Sequence, residues 1–95
     1  MNVEFEGIVI EWRGPAPFYF VAVPEDVAVE IRELAPMLTY GWGVIPATVT
    51  IGDTTITTSL FPKDGGYLVP LKDAIRKPEG IAVGDNVTLG LNLGR

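Results

Sequence analysis

The chain has 95 residues, of which 47 % are apolar and 20 % charged, and twelve carboxylates against seven bases give a net charge of −5 at pH 7. A chain of this length forms one domain over residues 1–95, and its apolar content excludes a disordered tail. It contains no Cys and no His, which excludes disulfides, zinc–thiolate centres, thiol nucleophiles and histidine-based catalysis.

The first predicted element is a β-strand over residues 3–12. Its apolar side chains lie first on one face and then, beyond Gly7, on the other. The two sets are Val3 and Phe5, then Ile8, Ile10 and Trp12. Because side chains alternate strictly along a strand, this change of face predicts a bulge or a bend at the glycine.

A second strand and a helix come next. Residues 18–23 are apolar on both faces, which predicts a central strand buried in a barrel or beneath a helix. Pro24 is followed by two carboxylates, a composition typical of a helix start. Apolar residues at helical spacing from Val27 onward predict a helix that ends near Pro36.

Two aromatic residues lie in the loop after this helix. Tyr40 and Trp42 are accompanied by glycines, which permit unusual backbone angles. Aromatic side chains in such a loop are suited to line the mouth of a barrel pocket, so both are candidate pocket residues. The alternative is that they fill the core, which the narrow interior of a small barrel favours.

The second half of the chain predicts further strands and a short helix. Alternation on both sides of a Gly-Asp turn predicts a Thr-rich hairpin over residues 44–61. Residues 67–69 form a short strand, and a helix over residues 71–77 ends at a proline. Residues 86–93 alternate between an apolar and a polar face. These elements predict a mainly β fold, a small closed or split β-barrel of about six strands capped by two short α-helices.

Four basic residues form the strongest candidate for a binding site: Lys63, Lys72, Arg76 and Lys77. Lys72 and Arg76 have the i,i+4 spacing of one helical face, where like charges repel by about 0.2–0.5 kcal/mol. This cluster suits a small anion site in which Arg76 binds a carboxylate or phosphate and the lysines add positive charge. The alternative is that these cations complement the dipole of the helix at its C-terminal end and face solvent.

The order of several segments resembles a known family. The segments cover residues 18–28, 44–49, 57–63, 66–72, 76–77 and 84–87, and the most specific run is SLFPKDGGYLVPLKDAIRK, from Ser59 to Lys77. This order resembles the domain-of-unknown-function family 1905, found mainly in bacteria and archaea, from about Phe5 to Leu91. The resemblance implies a double-split β-barrel and implies no activity, since none is established for the family.

The residues favour binding over catalysis. Because Cys and His are absent, only Lys, Tyr or carboxylate chemistry remains for an enzyme, and no metal or cofactor is expected. We therefore expect a binding module for a small anionic ligand or a protein partner. The alternative is a structural domain that forms homo-oligomers by pairing barrel strands between chains.

Charge and hydropathy also limit the expected partners and location. The acidic balance argues against nucleic acid as a partner, because neutralising phosphates requires a positive surface. The longest apolar run, residues 18–23, is far shorter than the ~20 residues of a membrane span. The acidic N-terminus lacks the pattern of a secretory signal. We therefore expect no membrane partner and a cytoplasmic protein.

Overall fold

The structure, a computed structural model, describes residues 2–12, 18–38 and 45–93. Within these ranges the elements are β1 (Asn2–Trp12), β2 (Phe18–Ala22), α1 (Glu25–Leu38), β3 (Ile45–Ile51), β4 (Thr54–Lys63), β5 (Gly66–Pro70), α2 (Asp73–Glu79) and β6 (Asn86–Leu93). All neighbouring strands are antiparallel, and the barrel closes in the order β1-β2-β5-β4-β3-β6. The structure thus confirms the predicted fold class, a mainly β barrel with two helices.

Two strands, β1 and β4, change partners along their length. β1 pairs with β6 through residues 2–8 and with β2 from Val9 onward. β4 pairs with β3 as far as Leu60 and with β5 from Phe61 onward. The barrel therefore consists of two sheets that share these strands. We call β6, β3 and the paired parts of β1 and β4 the first sheet, and β2, β5 and the remaining parts the second sheet.

The core lies inside this ring and beneath the helices. The inward residues of β3 and β6 alternate with outward polar ones, as predicted for both strands. Ile31 of α1 and Ile75 of α2 are fully buried and join the same cluster. Removing such side chains from water is the main contribution to stability, at about 1.5–3 kcal/mol for each fully buried aliphatic residue.

Both helices extend beyond their predicted ends. α1 continues through Pro36, and α2 begins only after its N-cap residue Lys72 and continues through Pro78. A proline removes one helical hydrogen bond and disfavours continuation, and each helix ends within two residues of its proline. α2 then ends at Gly80, whose φ of 62° supplies the left-handed conformation of a helix C-terminus.

The predicted bulge at Gly7 is wrong. β1 keeps a continuous register, with Phe5 and Val9 buried and Gly7 between them on the same inward face. The side chain of Val21 occupies the place that a Cβ at Gly7 would need. The outward residues that follow Gly7 are the exposed Ile8, Ile10 and Trp12. The second apolar stretch of β1 is therefore a surface and not another part of the core.

Candidate functional site

Aromatic side chains cover the outer face of the second sheet. Trp12 lies opposite Phe18 in the register, and Phe61 lies opposite Leu68. Trp12, Phe18 and Phe61 are 51 %, 60 % and 45 % exposed. The strand over residues 18–22 is central in the second sheet, as predicted, but no helix or strand among the described residues covers the outward aromatic side chains. We call this outer face the aromatic face.

Phe20 is the centre of the aromatic face. Its ring centroid lies 6.0 Å from that of Trp12, 6.3 Å from that of Phe18 and 6.4 Å from that of Phe61. These distances are typical of favourable aromatic pairs. Phe20 is only 5 % exposed although it points outward, because its neighbours shield it. The cluster therefore forms a fixed platform with three exposed rings around a buried one.

A groove of about 340 Å³ lies among these rings, and we call it the aromatic groove. It is lined by Trp12, Phe18, Phe20, Phe61, Pro62, Lys63 and Leu68. A neighbouring depression shares Phe18 and Phe61 with it and reaches Lys72. Small-molecule sites typically have volumes of about 300–1,000 Å³ and mostly apolar walls with a few polar groups. The aromatic groove has this character.

Lys63 brings a positive charge to the rim of the aromatic groove. Its Nζ lies 4.3 Å from the ring centroid of Trp12 and 4.0 Å from the carboxylate of Asp64. A cation over an exposed ring gains about 0.5–1 kcal/mol, and an exposed ion pair at this distance gains little more. The Lys63 side chain is 43 % exposed. Its ammonium is therefore positioned by Trp12 yet accessible to an anion in the groove.

The turn that carries Lys63 is held by the first helix. Arg32 of α1 donates a hydrogen bond of 2.6 Å to the carbonyl oxygen of Gly65. Asp64 and Gly65 have φ angles of 51° and 82° and form the tight connection between β4 and β5. This contact links α1 to the turn beside the groove, so the position of the Lys63 backbone depends on both elements.

Lys72 has a different environment from the one predicted. It precedes α2, and its Nζ donates a hydrogen bond of 3.1 Å to the carbonyl oxygen of Thr57 in β4. The expectation that Lys72 and Arg76 share one helical face is therefore wrong, because the helix begins after Lys72. Lys72 lies instead at the end of the depression that also contains Phe18 and Phe61.

Arg76 and Lys77 both contact Asp73. The Arg76 guanidinium lies 3.8 Å from the ring centroid of Tyr19, its Nε donates to the carbonyl oxygen of Leu71 at 3.1 Å, and it also forms an ion pair with Asp73. Lys77 Nζ lies 3.8 Å from the other carboxylate oxygen of Asp73. These contacts engage much of the charge of both residues. Anion binding by the four basic residues remains a prediction.

The other predicted site residues, Tyr40 and Trp42, lie outside the described residues. The sequence reasoning missed the exposed positions of Trp12, Phe18 and Phe61. A signal was available in the outward alternation of Ile8, Ile10 and Trp12. The alternation alone does not reveal exposure, because exposed and buried apolar residues have the same pattern in a sequence.

Two further kinds of site are not found in the part of the chain that the structure describes. No three of its Asp or Glu side chains come together as a group that could hold a metal ion. No helix among the same residues is both long and apolar enough to cross a bilayer. The aromatic groove is therefore the candidate site, on account of its shape, its aromatic lining and the charge of Lys63.

Comparison with known proteins places the chain in a family. The model of the family described as Domain of unknown function (DUF1905) matches residues 5–91. The match covers nearly the whole chain and includes every residue that lines the aromatic groove. The chain belongs to this family, which confirms the resemblance found in the sequence. No curated protein matches the chain.

Proposed function

We propose that this member of the DUF1905 family is a binding module, and that its aromatic groove holds a small, flat, apolar ligand that bears a carboxylate or a phosphate. The observation that carries the proposal is the ammonium of Lys63, 4.3 Å from the Trp12 ring centroid at the rim of an exposed aromatic groove. The rings provide a surface for stacking, and Lys63 provides the charge that orients the anionic group.

The groove supports modest affinity. It covers one side of a ligand, since Trp12, Phe18 and Phe61 each remain about half exposed. Burying apolar ring surface stabilises a complex by about 25 cal/mol per Å², and loss of translational and rotational freedom opposes association by several kcal/mol. We therefore expect dissociation constants between about 10 μM and 1 mM, equivalent to roughly −4 to −7 kcal/mol.

The four basic residues contribute unequally in this proposal. Lys63 contacts the anionic group, and Lys72 is available to a longer ligand that extends past Phe18 into the neighbouring depression. Arg76 and Lys77 add only background positive potential, because Asp73 lies between them and neutralises part of their charge. This division makes Lys77 a suitable control for Lys63, since either substitution removes one positive charge from the protein.

A titration followed by ¹⁵N–¹H NMR tests the proposal. Indole-3-acetate and phenyl phosphate serve as anionic probes, with indole and phenol as neutral analogues, and the Trp12 indole resonance is assigned by Trp12→Phe. We expect saturable shifts at the Trp12 indole and at the amides of Phe61 and Lys63. Lys63→Gln should weaken binding of the anionic probes about tenfold, equivalent to about 1.4 kcal/mol, and leave the neutral analogues unchanged.

The control variant decides whether the effect is local. Lys77→Gln should leave the affinity for both anionic probes within about twofold of the parent protein, because its charge lies beside Asp73. Equal weakening by Lys63→Gln and Lys77→Gln would indicate a general effect of net charge and contradict the proposed site. Absence of saturable shifts at 10 mM probe would also contradict it.

Self-association is a second candidate function, favoured by the extent of the aromatic face. Ile8 and Ile10 continue the exposed apolar surface from Trp12 along β1. Contiguous exposed apolar patches often mark interaction sites, and each partner of a stable interface buries roughly 800 Å². We assign this alternative to the aromatic face because the exposed apolar side chains lie there.

Sedimentation velocity between 10 μM and 1 mM distinguishes the two candidates. A monomer throughout this range excludes self-association. A dimer that Phe18→Ser dissociates and that indole-3-acetate leaves intact would favour self-association over ligand binding. A dimer that indole-3-acetate dissociates would show that ligand and second chain compete for the aromatic face.

A further inference from the structure

The outer face of the first sheet contains a polar trough around Gly90. The register places Gly90 between Glu4 of β1 and Thr50 of β3. The trough has a volume of about 570 Å³, and its polar lining consists of Asn2, Glu4, Thr48, Thr50 and Asn92. We call it the Gly90 trough. It lies on the first sheet, whereas the aromatic groove lies on the second.

The fold does not require glycine at position 90. Its backbone is that of an ordinary strand residue, outside the left-handed region adopted by Gly52 and Gly80. A Cβ at Gly90 would meet Thr50 at 3.8 Å, which is ordinary van der Waals contact. At Gly7, by contrast, the side chain of Val21 already fills the corresponding space.

The glycine nevertheless has a consequence for the surface. Glycine inside a strand weakens it, and such a glycine often marks a place where a ligand approaches the backbone closely. At Gly90 neither a left-handed backbone nor a lack of room for a Cβ accounts for the presence of a glycine. What the residue provides is open space above the backbone, between the side chains of Glu4 and Thr50.

The polar groups around the trough indicate the chemistry of its ligand. The lining offers the amides of Asn2 and Asn92 and the hydroxyl of Thr48, and each of these groups can both donate and accept hydrogen bonds. The Thr50 hydroxyl already shares a hydrogen bond of 2.8 Å with the Thr55 hydroxyl, which leaves part of its capacity for a ligand. This combination matches the hydroxyl groups of a polyol, which also donate and accept. The trough thus favours a ligand that carries several hydroxyls.

Glu4 adds a negative charge to this lining. Its carboxylate is exposed and has no hydrogen bond or ion pair with any residue that the structure describes. Glu6, two residues further along the same outer face of β1, accepts a hydrogen bond of 3.1 Å from Asn86 Nδ2. The unpaired carboxylate beside the trough is complementary to a protonated amine.

We propose that the Gly90 trough is a second binding site, for a small ligand that bears both hydroxyl groups and a protonated amine, as an amino sugar does. The ammonium pairs with Glu4, the hydroxyls exchange hydrogen bonds with the Asn and Thr side chains, and the ring of the ligand rests on the backbone at Gly90. The site is independent of the aromatic groove, so either can fail without the other.

A ¹⁵N–¹H NMR titration with glucosamine, glucose and N-acetylglucosamine tests this site. We expect saturable shifts at the amides of Thr50, Gly90 and Asn92 with glucosamine, and at least fivefold weaker binding of the two neutral sugars. Gly90→Val fills the trough and should weaken glucosamine binding at least tenfold. Its melting temperature should equal or exceed that of the parent protein, because valine favours strands and its Cβ would meet Thr50 only at ordinary van der Waals distance.

A matched pair of variants tests the charge. Glu4→Gln should weaken glucosamine binding at least fivefold, and Glu6→Gln, which removes the same charge from the same face, should change it less than twofold. Equal effects of both variants, equal binding of all three sugars, or no saturable shifts at 50 mM glucosamine would each overturn the proposal. A fall in the melting temperature of Gly90→Val would overturn it too, because the glycine would then have a structural role.

Discussion

The two outer faces of the barrel differ although the same two strands contribute to both. Where β1 pairs with β6, its outward residues are Asn2, Glu4, Glu6 and, at the end of the pairing, Ile8, and where it pairs with β2 they are Ile10 and Trp12. β4 changes in the same direction, from outward threonines to Phe61. The inward face of β1, by contrast, is apolar and buried on both sides of the exchange, at Phe5 and at Val9. The point at which each strand exchanges partners therefore lies close to the boundary between a polar surface and an apolar, aromatic one.

This difference shows which residues the fold specifies and which it leaves free. A strand in a filled barrel needs apolar residues only on its inward face. An outward aromatic residue adds little to folding if it stays half exposed, as Trp12, Phe18 and Phe61 do. The composition of the outer faces is therefore the best guide to binding, and the inward faces report on stability. Substitutions at four positions, most of them with a control variant, test whether inward residues determine stability and outward residues do not.

The largest effect is expected for the inward face of β6. Leu89 is fully buried, so Leu89→Ala should lower the free energy of unfolding by about 2–5 kcal/mol through lost burial and a residual cavity. Its neighbour Thr88 points outward and is exposed. Thr88→Ala should therefore change the free energy of unfolding by less than about 0.5 kcal/mol. Urea unfolding measures both values. Similar losses for the two variants would contradict the assignment of inward and outward faces.

A smaller effect is expected at Gly7, on the inward face of β1. Gly7→Ala should lower the free energy of unfolding by about 1–3 kcal/mol, because the new methyl group conflicts with the side chain of Val21. Val21→Ala in the same chain should reduce this loss, which a double-mutant cycle measures. Gly90→Ala serves as the outward control and should be neutral or slightly stabilising. A loss at Gly90 equal to that at Gly7 would break the distinction.

Arg76 is expected to contribute an intermediate amount, because it belongs more to the fold than to the surface. Only 19 % of its side chain is exposed, and it packs on Tyr19 and bonds to Leu71 and Asp73. Arg76→Ala should lower the free energy of unfolding by about 1–2 kcal/mol. Lys77→Ala should lower it by less than about 0.5 kcal/mol, because its exposed ion pair is weak. Equal losses of unfolding free energy for the two variants would show that the contacts of Arg76 stabilise the fold no more than those of Lys77.

The smallest effect on stability is expected on the aromatic face. Phe18 is 60 % exposed, so Phe18→Ser should lower the free energy of unfolding by less than about 1 kcal/mol. Thermal unfolding measures this change, and NMR titration with indole-3-acetate should show weakened binding in the same variant. A loss above about 2 kcal/mol would mean that the aromatic face is part of the stabilising core.

The strands and turns that local alternation defines could be predicted from the sequence. The surroundings of side chains that contact residues distant in the sequence could not. The leucines of β6 and the turn at Gly52 follow from local pattern and turn chemistry. The surface position of Trp12 does not follow from the local pattern. In the sequence of a single strand, an exposed apolar face and a buried one show the same alternation. Arg76 could not be assigned to Tyr19 either, because the two residues are far apart in sequence and meet only after β2 and β5 pair.

The pairing of β1 with β6 also has a consequence for the order of folding. It joins Glu6 to Asn86 across 80 positions, whereas the β3–β4 hairpin closes over the two residues Gly52 and Asp53. Hairpins form in about 1–10 μs, and pairings between distant segments slow folding to roughly milliseconds or seconds. We therefore expect the hairpin to form early and the ring to close last. The Gly90 trough spans this pairing, since Glu4 lies opposite Gly90, so the trough becomes complete only in this final step. The aromatic groove depends instead on the β1–β2, β2–β5 and β4–β5 pairings and can form before it.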